Sequence, residues 1–200
     1  MVYTGLSAKI SDHVIKRPPV EMHYPVITGL PNQNAERSIN QTIRQYAEMI
    51  AGQQTDPNLR YFKGTYNIPM NQRGILSIVF TTDSYSGGAH GIQHKYSLNF
   101  DLQGGGMFSL FDLFAPNTNW KGRINDYIRR QIQAQQVPML RPFGGIKDEQ
   151  PFYLTTNGLG IYFQLYEYTP YAYGFLVFVI PYTLFKGLVD PNGPLMRLMR

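Results

Sequence analysis

Strict two-residue alternation of apolar and polar side chains does most to narrow the folds open to this chain. Tyr96, Leu98, Phe100 and Leu102 alternate with Ser97, Asn99 and Asp101, the period of a strand with one buried face. Val20, Met22, Tyr24 and Val26 alternate in the same way with Glu21 and His23. Lys9–Lys16 reads as a partner strand joined to this one at Arg17-Pro18-Pro19. Leu76, Ile78 and Phe80 give a further inward row, and Tyr61–Ile68 a weaker one. Phe152–Thr155 and Leu159–Leu165 flank Thr156-Asn157-Gly158, a hairpin signal. Phe175–Ile180 is an unbroken apolar run, which predicts a strand covered on both faces.

Only two segments carry a sustained helical period. Ala35, Ile39, Ile43, Tyr46, Ala47 and Ile50 share one face of a helix that Asn32 or Asn34 can cap. Trp120, Ile124, Tyr127, Ile128 and Ile132 make the stripe of a second, over Asn119–Gln135. Ser109-Leu110-Phe111-Asp112 has capping-box spacing and predicts a short helical turn up to Phe114. Pro181 can open another turn that ends at Gly187, and the basic tail after Asp190-Pro191-Asn192-Gly193-Pro194 reads as mobile. Strand runs with two long helices predict an α+β fold with antiparallel sheets. The expected organisation is two closely packed α+β halves, residues 1–90 and 91–200, forming one integrated unit.

Composition limits the chemistry. The chain lacks cysteine, so disulfides, thiolate metal sites and cysteine nucleophiles are excluded. Its net charge of +5 is spread over short pairs such as Lys16-Arg17 and Arg129-Arg130. No stripe of five or six bases occurs, which argues against nucleic acid as a partner. The start at Met1 shows no basic segment followed by an apolar run, and no stretch has the length of a membrane span. Charged residues are only 16% of the chain, while tyrosines number 15. Such a surface is suited to stacking and hydrogen bonding, which tyrosine provides at low entropy cost.

His90 and His94 have the spacing of a zinc-binding helix, but Gly87, Gly88 and Gly91 surround the first and a strand begins at the second. Four strand residues separate side chains by roughly 13 Å, too far to share one ion. No metal and no cofactor is therefore expected, and His90 reads as a turn histidine. Ser84–Gly91 lacks the lysine and following helix of a nucleotide loop and reads as a glycine-rich bend. A triad of Ser86, His90 and Glu167, or a carboxylate pair drawn from Asp83, Asp101 and Glu167, has no local motif behind it. The segment Tyr166-Glu167-Tyr168-Thr169-Pro170-Tyr171-Ala172-Tyr173-Gly174 differs in kind. It places four tyrosines and a carboxylate between two apolar strands, with Pro170 stiffening the loop and Gly174 freeing the chain to re-enter the sheet. A rigid aromatic loop loses little entropy on binding, which makes Tyr168, Tyr171 and Tyr173 candidate anchors. The competing reading is a tyrosine-rich corner that completes the core.

Six segments in order carry a resemblance: Ser86–Gly91, Tyr96–Leu102, Phe108–Phe114, Phe152–Thr155, Tyr166–Gly174 and Ile180-Pro181-Tyr182. Together they resemble the RsiV-type ectodomain family, a bacterial domain of unknown function. That family includes a lysozyme-sensing anti-sigma factor and the non-catalytic part of the peptidoglycan deacetylase PdaC. The resemblance covers Val20 to about Val189. It implies an extracytoplasmic domain, secreted or held to the membrane only through an N-terminal anchor, with a ligand-binding or sensing role and no catalytic residues. The matching signature positions are His90 with its flanking glycines, and Tyr166, Glu167, Pro170, Tyr171 and Gly174. The implied partner is a lysozyme-like protein. The net charge of +5 gives no steering toward a cationic lysozyme, so a wall glycan stands beside it as the other expected ligand. An envelope hydrolase acting on peptidoglycan or a related polymer is the alternative; it would need His90 within reach of an acid or serine.

Overall fold

Two antiparallel strands open the fold in the computed structural model, which describes residues 5–54 and 56–199. β1 (Lys9–Arg17) and β2 (Val20–Thr28) pair from Arg17↔Val20 to Lys9↔Thr28, with Pro18-Pro19 as the two-residue turn. Met22 and Tyr24 are buried as the alternation requires, but beyond Pro25 the inward residue is Ile27 while Val26 is half-buried. Helix α1 (Gln33–Gly52) follows, capped by the Asn32 side chain, which accepts from the amides of Asn34 and Ala35 at 3.0 and 3.2 Å. Its face of Ile39, Ile43, Ala47 and Ile50 is fully buried against Met22, Ile27, Ile78, Phe80 and Phe100.

β3 (Tyr61–Gln72), β4 (Ile75–Tyr85) and β5 (Ile92–Asp101) complete a sheet of order β1-β2-β3-β4-β5. This sheet is mixed, which corrects the expectation of antiparallel pairing throughout. β2 and β3 run parallel over Val20↔Phe62 to Met22↔Gly64, because α1 carries the chain back to the starting end between them, as a parallel pair demands. β3 and β4 join at Arg73-Gly74, both at positive φ (53° and 73°), the backbone of a tight hairpin. After β5 the chain doubles back at Gln103–Gly106. There Gly105 has φ 81° and an added Cβ would stand 2.8 Å from the Cα of Ala35, so glycine is required twice over.

The chain divides into two compact units, Met1–Met107 and Phe108–Arg200. A division at residue 90 would have separated β5 from β4, with which it pairs over ten residues from Ile75↔Asp101 to Ser84↔Ile92. The ladder therefore keeps β5 in the first unit.

The second unit begins with the capping box, in which the Ser109 amide and hydroxyl both donate to Asp112 Oδ2 at 2.7 Å. One 3₁₀ turn follows at Phe111–Leu113. Helix α2 (Trp120–Ala134) is capped by Asn119 and buries Trp120, Ile124 and Ile128. β6 (Phe152–Leu154), β7 (Gly158–Phe163) and β8 (Leu176–Pro181) form an antiparallel sheet of order β6-β7-β8. β7 is the central strand and is buried throughout. β8 is an edge strand with Leu176, Phe178 and Ile180 inward and Val179 41% exposed, so the expectation of cover on both faces is wrong. An unbroken apolar run does not distinguish an edge strand from a central one. The tail is likewise corrected: α3 (Pro194–Leu198) is helical and Leu195 is fully buried. Tyr182 lies in a 3₁₀ turn after β8, and its hydroxyl donates to the Thr155 carbonyl at 2.6 Å. Burial pushes that phenol's pKa upward, so it stays a neutral donor.

Candidate functional site

The loop between β7 and β8 sorts its tyrosines by backbone geometry. Glu167 closes the first turn. Its amide donates to the Gln164 carbonyl at 3.1 Å, while its Oε2 accepts from the Gln164 amide at 3.0 Å. Its other oxygen accepts from Lys147 Nζ at 2.9 Å, with the carboxylate side chain only 16% exposed. Glu167 is thus a fastener of the loop, paired on both oxygens, and not an open anionic contact. The turn holds Tyr166 at φ 62° with 54% of its surface exposed. A bulky residue in the left-handed region is an outlier, and strain of this kind persists only where the surroundings hold it.

Tyr168 turns the other way and is 9% exposed. Its ring meets Phe163 (5.0 Å, 86°) and Phe143 (5.6 Å, 64°) edge to face, and the Arg141 guanidinium lies 5.1 Å from its centroid. Of the tyrosines read as anchors from sequence, Tyr168 therefore belongs to the core. Pro170 precedes a 3₁₀ turn over Tyr171–Tyr173 that ends on Gly174 at φ 81°. Tyr173 is 41% exposed, and the Tyr171 ring lies 5.8 Å from that of Tyr166 at 31°. Tyr166 and Tyr171 thus make one aromatic platform.

Sequence reasoning missed the segment beside this loop. The Leu140 amide donates to the Tyr168 carbonyl at 2.8 Å, which brings the 55%-exposed Leu140 side chain and Arg141 to the loop. The available signal was an apolar residue in Pro138-Met139-Leu140-Arg141-Pro142, where flanking prolines disfavour a helix or central strand that could bury it.

His90 and its glycines belong to the first unit, in the bend between β4 and β5. Gly87 and Gly88 have φ 112° and 104° with open space around both, so backbone conformation alone requires glycine there. Gly91 is required by close approach, since a Cβ would stand 2.6 Å from Asp83 Oδ1 and 2.9 Å from the Ser84 carbonyl. The exposed His90 ring contacts the Gly91 carbonyl through Nδ1 at 2.8 Å, so Nδ1 carries the proton in that contact. Among the described residues no group of three or more histidines and carboxylates is placed to hold a metal ion. No helix among them is long and apolar enough to cross a membrane.

A second histidine, passed over in the sequence, is more strongly held. His23 Nδ1 lies 2.8 Å from Asp12 Oδ2 on β1, and Nε2 lies 3.3 Å from Glu21 Oε1, which also pairs with Lys16 through Oε2 at 3.1 Å. The bond to Asp12 raises the imidazole pKa above 6.5 against the opposing effect of partial burial, and Glu21 adds to the rise. A raised folded-state pKa contributes stability that is complete below the unfolded value and is lost as pH climbs through the folded one. Urea midpoints should therefore fall between about pH 6 and about pH 8 by more in the native chain than in Asp12→Asn. Parallel profiles for the two proteins would refute the assignment.

These features define an α+β protein whose three-stranded sheet carries a loop with exposed tyrosines. Residues 11–93 match the family described as Deacetylase PdaC, and residues 111–183 match the family described as Protein of unknown function (DUF3298). Two crystal structures share the fold. One is a DUF3298 family member from Bacteroides fragilis NCTC 9343, 16% identical over 98% of each chain with a TM-score of 0.67. The other is a DUF3298 family protein from Pseudomonas aeruginosa PAO1, 18% identical over 92% of this chain and 94% of that one, with a TM-score of 0.68. No curated protein matches the sequence.

Proposed function

We propose that this chain is an extracytoplasmic ligand-binding or sensing domain of the bacterial cell envelope. It captures lysozyme or a wall component on the tyrosine loop and performs no catalysis of its own. The observation that carries this reading is Tyr166, a large aromatic side chain held out to solvent on a left-handed backbone by the Glu167 clamp. A chain selected for stability alone would favour glycine or asparagine there. The strain is explained if the exposed ring has work to do. The Tyr171 ring lies beside it and Tyr173 is exposed in the same loop, aromatic side chains of the kind that dominate binding hot spots. The match of residues 11–93 to Deacetylase PdaC supports an envelope setting.

The test uses Tyr166→Ala, Tyr171→Ala and Tyr173→Ala combined, leaving Tyr168 in place. Calorimetric titration with lysozyme and cosedimentation with purified wall sacculi should show capture by the native chain and at least about tenfold loss in the variant. The melting temperature should stay within about 2 °C, because these rings are not core. Equal capture by variant and native chain, or none by either, sinks the proposal.

A further inference from the structure

One long edge of the five-stranded sheet is open. β1 is its terminal strand and pairs only with β2 among the described residues; apart from Ile10 and Ile15 it is exposed along its length. Two observations fix which of its backbone groups face that edge. Pro25, which has no N–H, stands opposite Asp12, so this pair cannot exchange both ladder bonds. The Pro19 carbonyl accepts from the Phe62 amide at 2.9 Å, so Pro19 and alternate residues after it turn toward β3, and those between turn toward β1. Both give the same phase. Ser11, His13, Ile15 and Arg17 bond to β2, while Asp12, Val14 and Lys16 hold N–H and C=O toward the open edge.

The side chains of the same three residues share one face, opposite the buried Ile15. Val14 is 46% exposed at their centre. Asp12 and Lys16 flank it with side chains 54% and 67% exposed, and their in-chain partners are His23 and Glu21. A carboxylate and an ammonium each take several hydrogen bonds, so these contacts leave capacity on both. Charge sign alternates along the rung that ends at the edge: Asp83, Lys63, Glu21, Lys16. A further strand that continues the alternation places a carboxylate beside Lys16.

We propose that this edge pairs with the same edge of a second copy of the chain, β1 antiparallel to β1 about a twofold axis at Val14. That register sets Asp12 of each copy opposite Lys16 of the other. Each of these opposed pairs, and the central pair of valines, exchanges both N–H···O bonds. The two exposed valines cover one another. Neighbouring registers fail on charge. Centred on His13, the pairing sets Lys9 against Arg17; centred on Asp12, it sets that carboxylate against itself. Charges on an edge strand commonly keep other strands away. Here the same charges admit a strand that reads acid, apolar, base in the opposite direction, which a second copy supplies by symmetry. One strand pair is a small interface, so the dimer is weak and reversible. The edge lies in the first unit and involves none of the residues Tyr166–Gly174, so it stands apart from the capture proposed above.

Sedimentation velocity on the full chain, from about 10 μM to about 1 mM, should show a reversible dimer with a midpoint on the order of 100 μM. Amide exchange over the same range should slow at Asp12, Val14 and Lys16 as the dimer forms, while Ser11, His13 and Ile15 are protected throughout by β2. Val14→Pro removes only an N–H that faces the edge, where proline is tolerated, and should weaken dimerisation at least about tenfold. Asp12→Lys and Lys16→Asp each set like charges opposite one another and should each weaken it about tenfold or more. An equal mixture of those two variants should dimerise within about threefold of the native chain, because every opposed pair again joins opposite signs. A misfolded variant gives no such rescue. A monomer at every concentration, which would leave the edge to a strand of another protein, overturns the proposal. So does a dimer in which the Asp12, Val14 and Lys16 amides exchange as in the monomer, or a mixture of the charge variants that associates no better than either alone.

Discussion

Tyr168→Ala should lower the stability of the second unit by about 3–5 kcal/mol, whereas Tyr173→Ala, six tenths buried at most, should change it by about 0.5 kcal/mol or less. The contrast arises within one loop. Tyr168 fills the space between Phe163 and Phe143 and carries Arg141 over its face, so truncation leaves a cavity and removes two edge-to-face ring contacts worth about 0.5–1.5 kcal/mol each. Tyr173 is 41% exposed and sits in a solvent-facing 3₁₀ turn. Tyr168→Phe preserves the ring contacts and should cost less than about 1 kcal/mol. Urea unfolding followed by circular dichroism measures all three. Equal midpoints for Tyr168→Ala and Tyr173→Ala would show that Tyr168 is not core. The result also governs how binding data are read: loss of capture in Tyr168→Ala reports unfolding, and only Tyr166, Tyr171 and Tyr173 report contact.

Gly158→Val should destabilise the second unit by about 3 kcal/mol, at the upper end of the cost of overpacking. Gly158 pairs with Pro181 at the start of the central strand. A Cβ there would overlap the Ile180 carbonyl oxygen and stand 2.8 Å from its carbon. These atoms are backbone of the adjacent strand and cannot rotate away, so the β7–β8 ladder must part to admit a side chain. Loss of the ladder would also detach Tyr182 from the Thr155 carbonyl and misplace both ends of the tyrosine loop. Amide exchange is the direct measurement: protection of Ile161 and Phe163 should fall with the global midpoint. A Gly158→Val chain with native exchange rates would mean the strands accommodate the side chain without cost.

Gly158 also shows how far sequence could reach. The Thr156-Asn157-Gly158 signal located the hairpin correctly, since Phe152–Leu154 and Gly158–Phe163 do pair across it. The reason for the glycine was different. Gly158 is not among the residues at positive φ, and Thr155 closes the turn by accepting from the amides of Asn157 and Gly158 through its hydroxyl. The demand comes from β8, which returns beside Gly158 only after the tyrosine loop. A contact between residues far apart in the chain leaves no local pattern.

Local patterns did determine the α+β class, both long helices with their buried faces, the capping box at Ser109 and most strand positions. Each follows from a period or a cap spanning a few residues, and burying one face is the dominant gain in either element. Tertiary structure alone decided the parallel β2–β3 pair, the exposed face of β8, the docking of Leu195 and the boundary after Met107. It also decided which tyrosines of Tyr166–Gly174 face solvent. The sequence supplied the aromatic rings, but the direction of each was set by the Glu167 clamp, by the Phe163 and Phe143 rings and by the Leu140–Tyr168 backbone bond. In a loop without periodicity the direction of a side chain is fixed by what the rest of the fold packs against it.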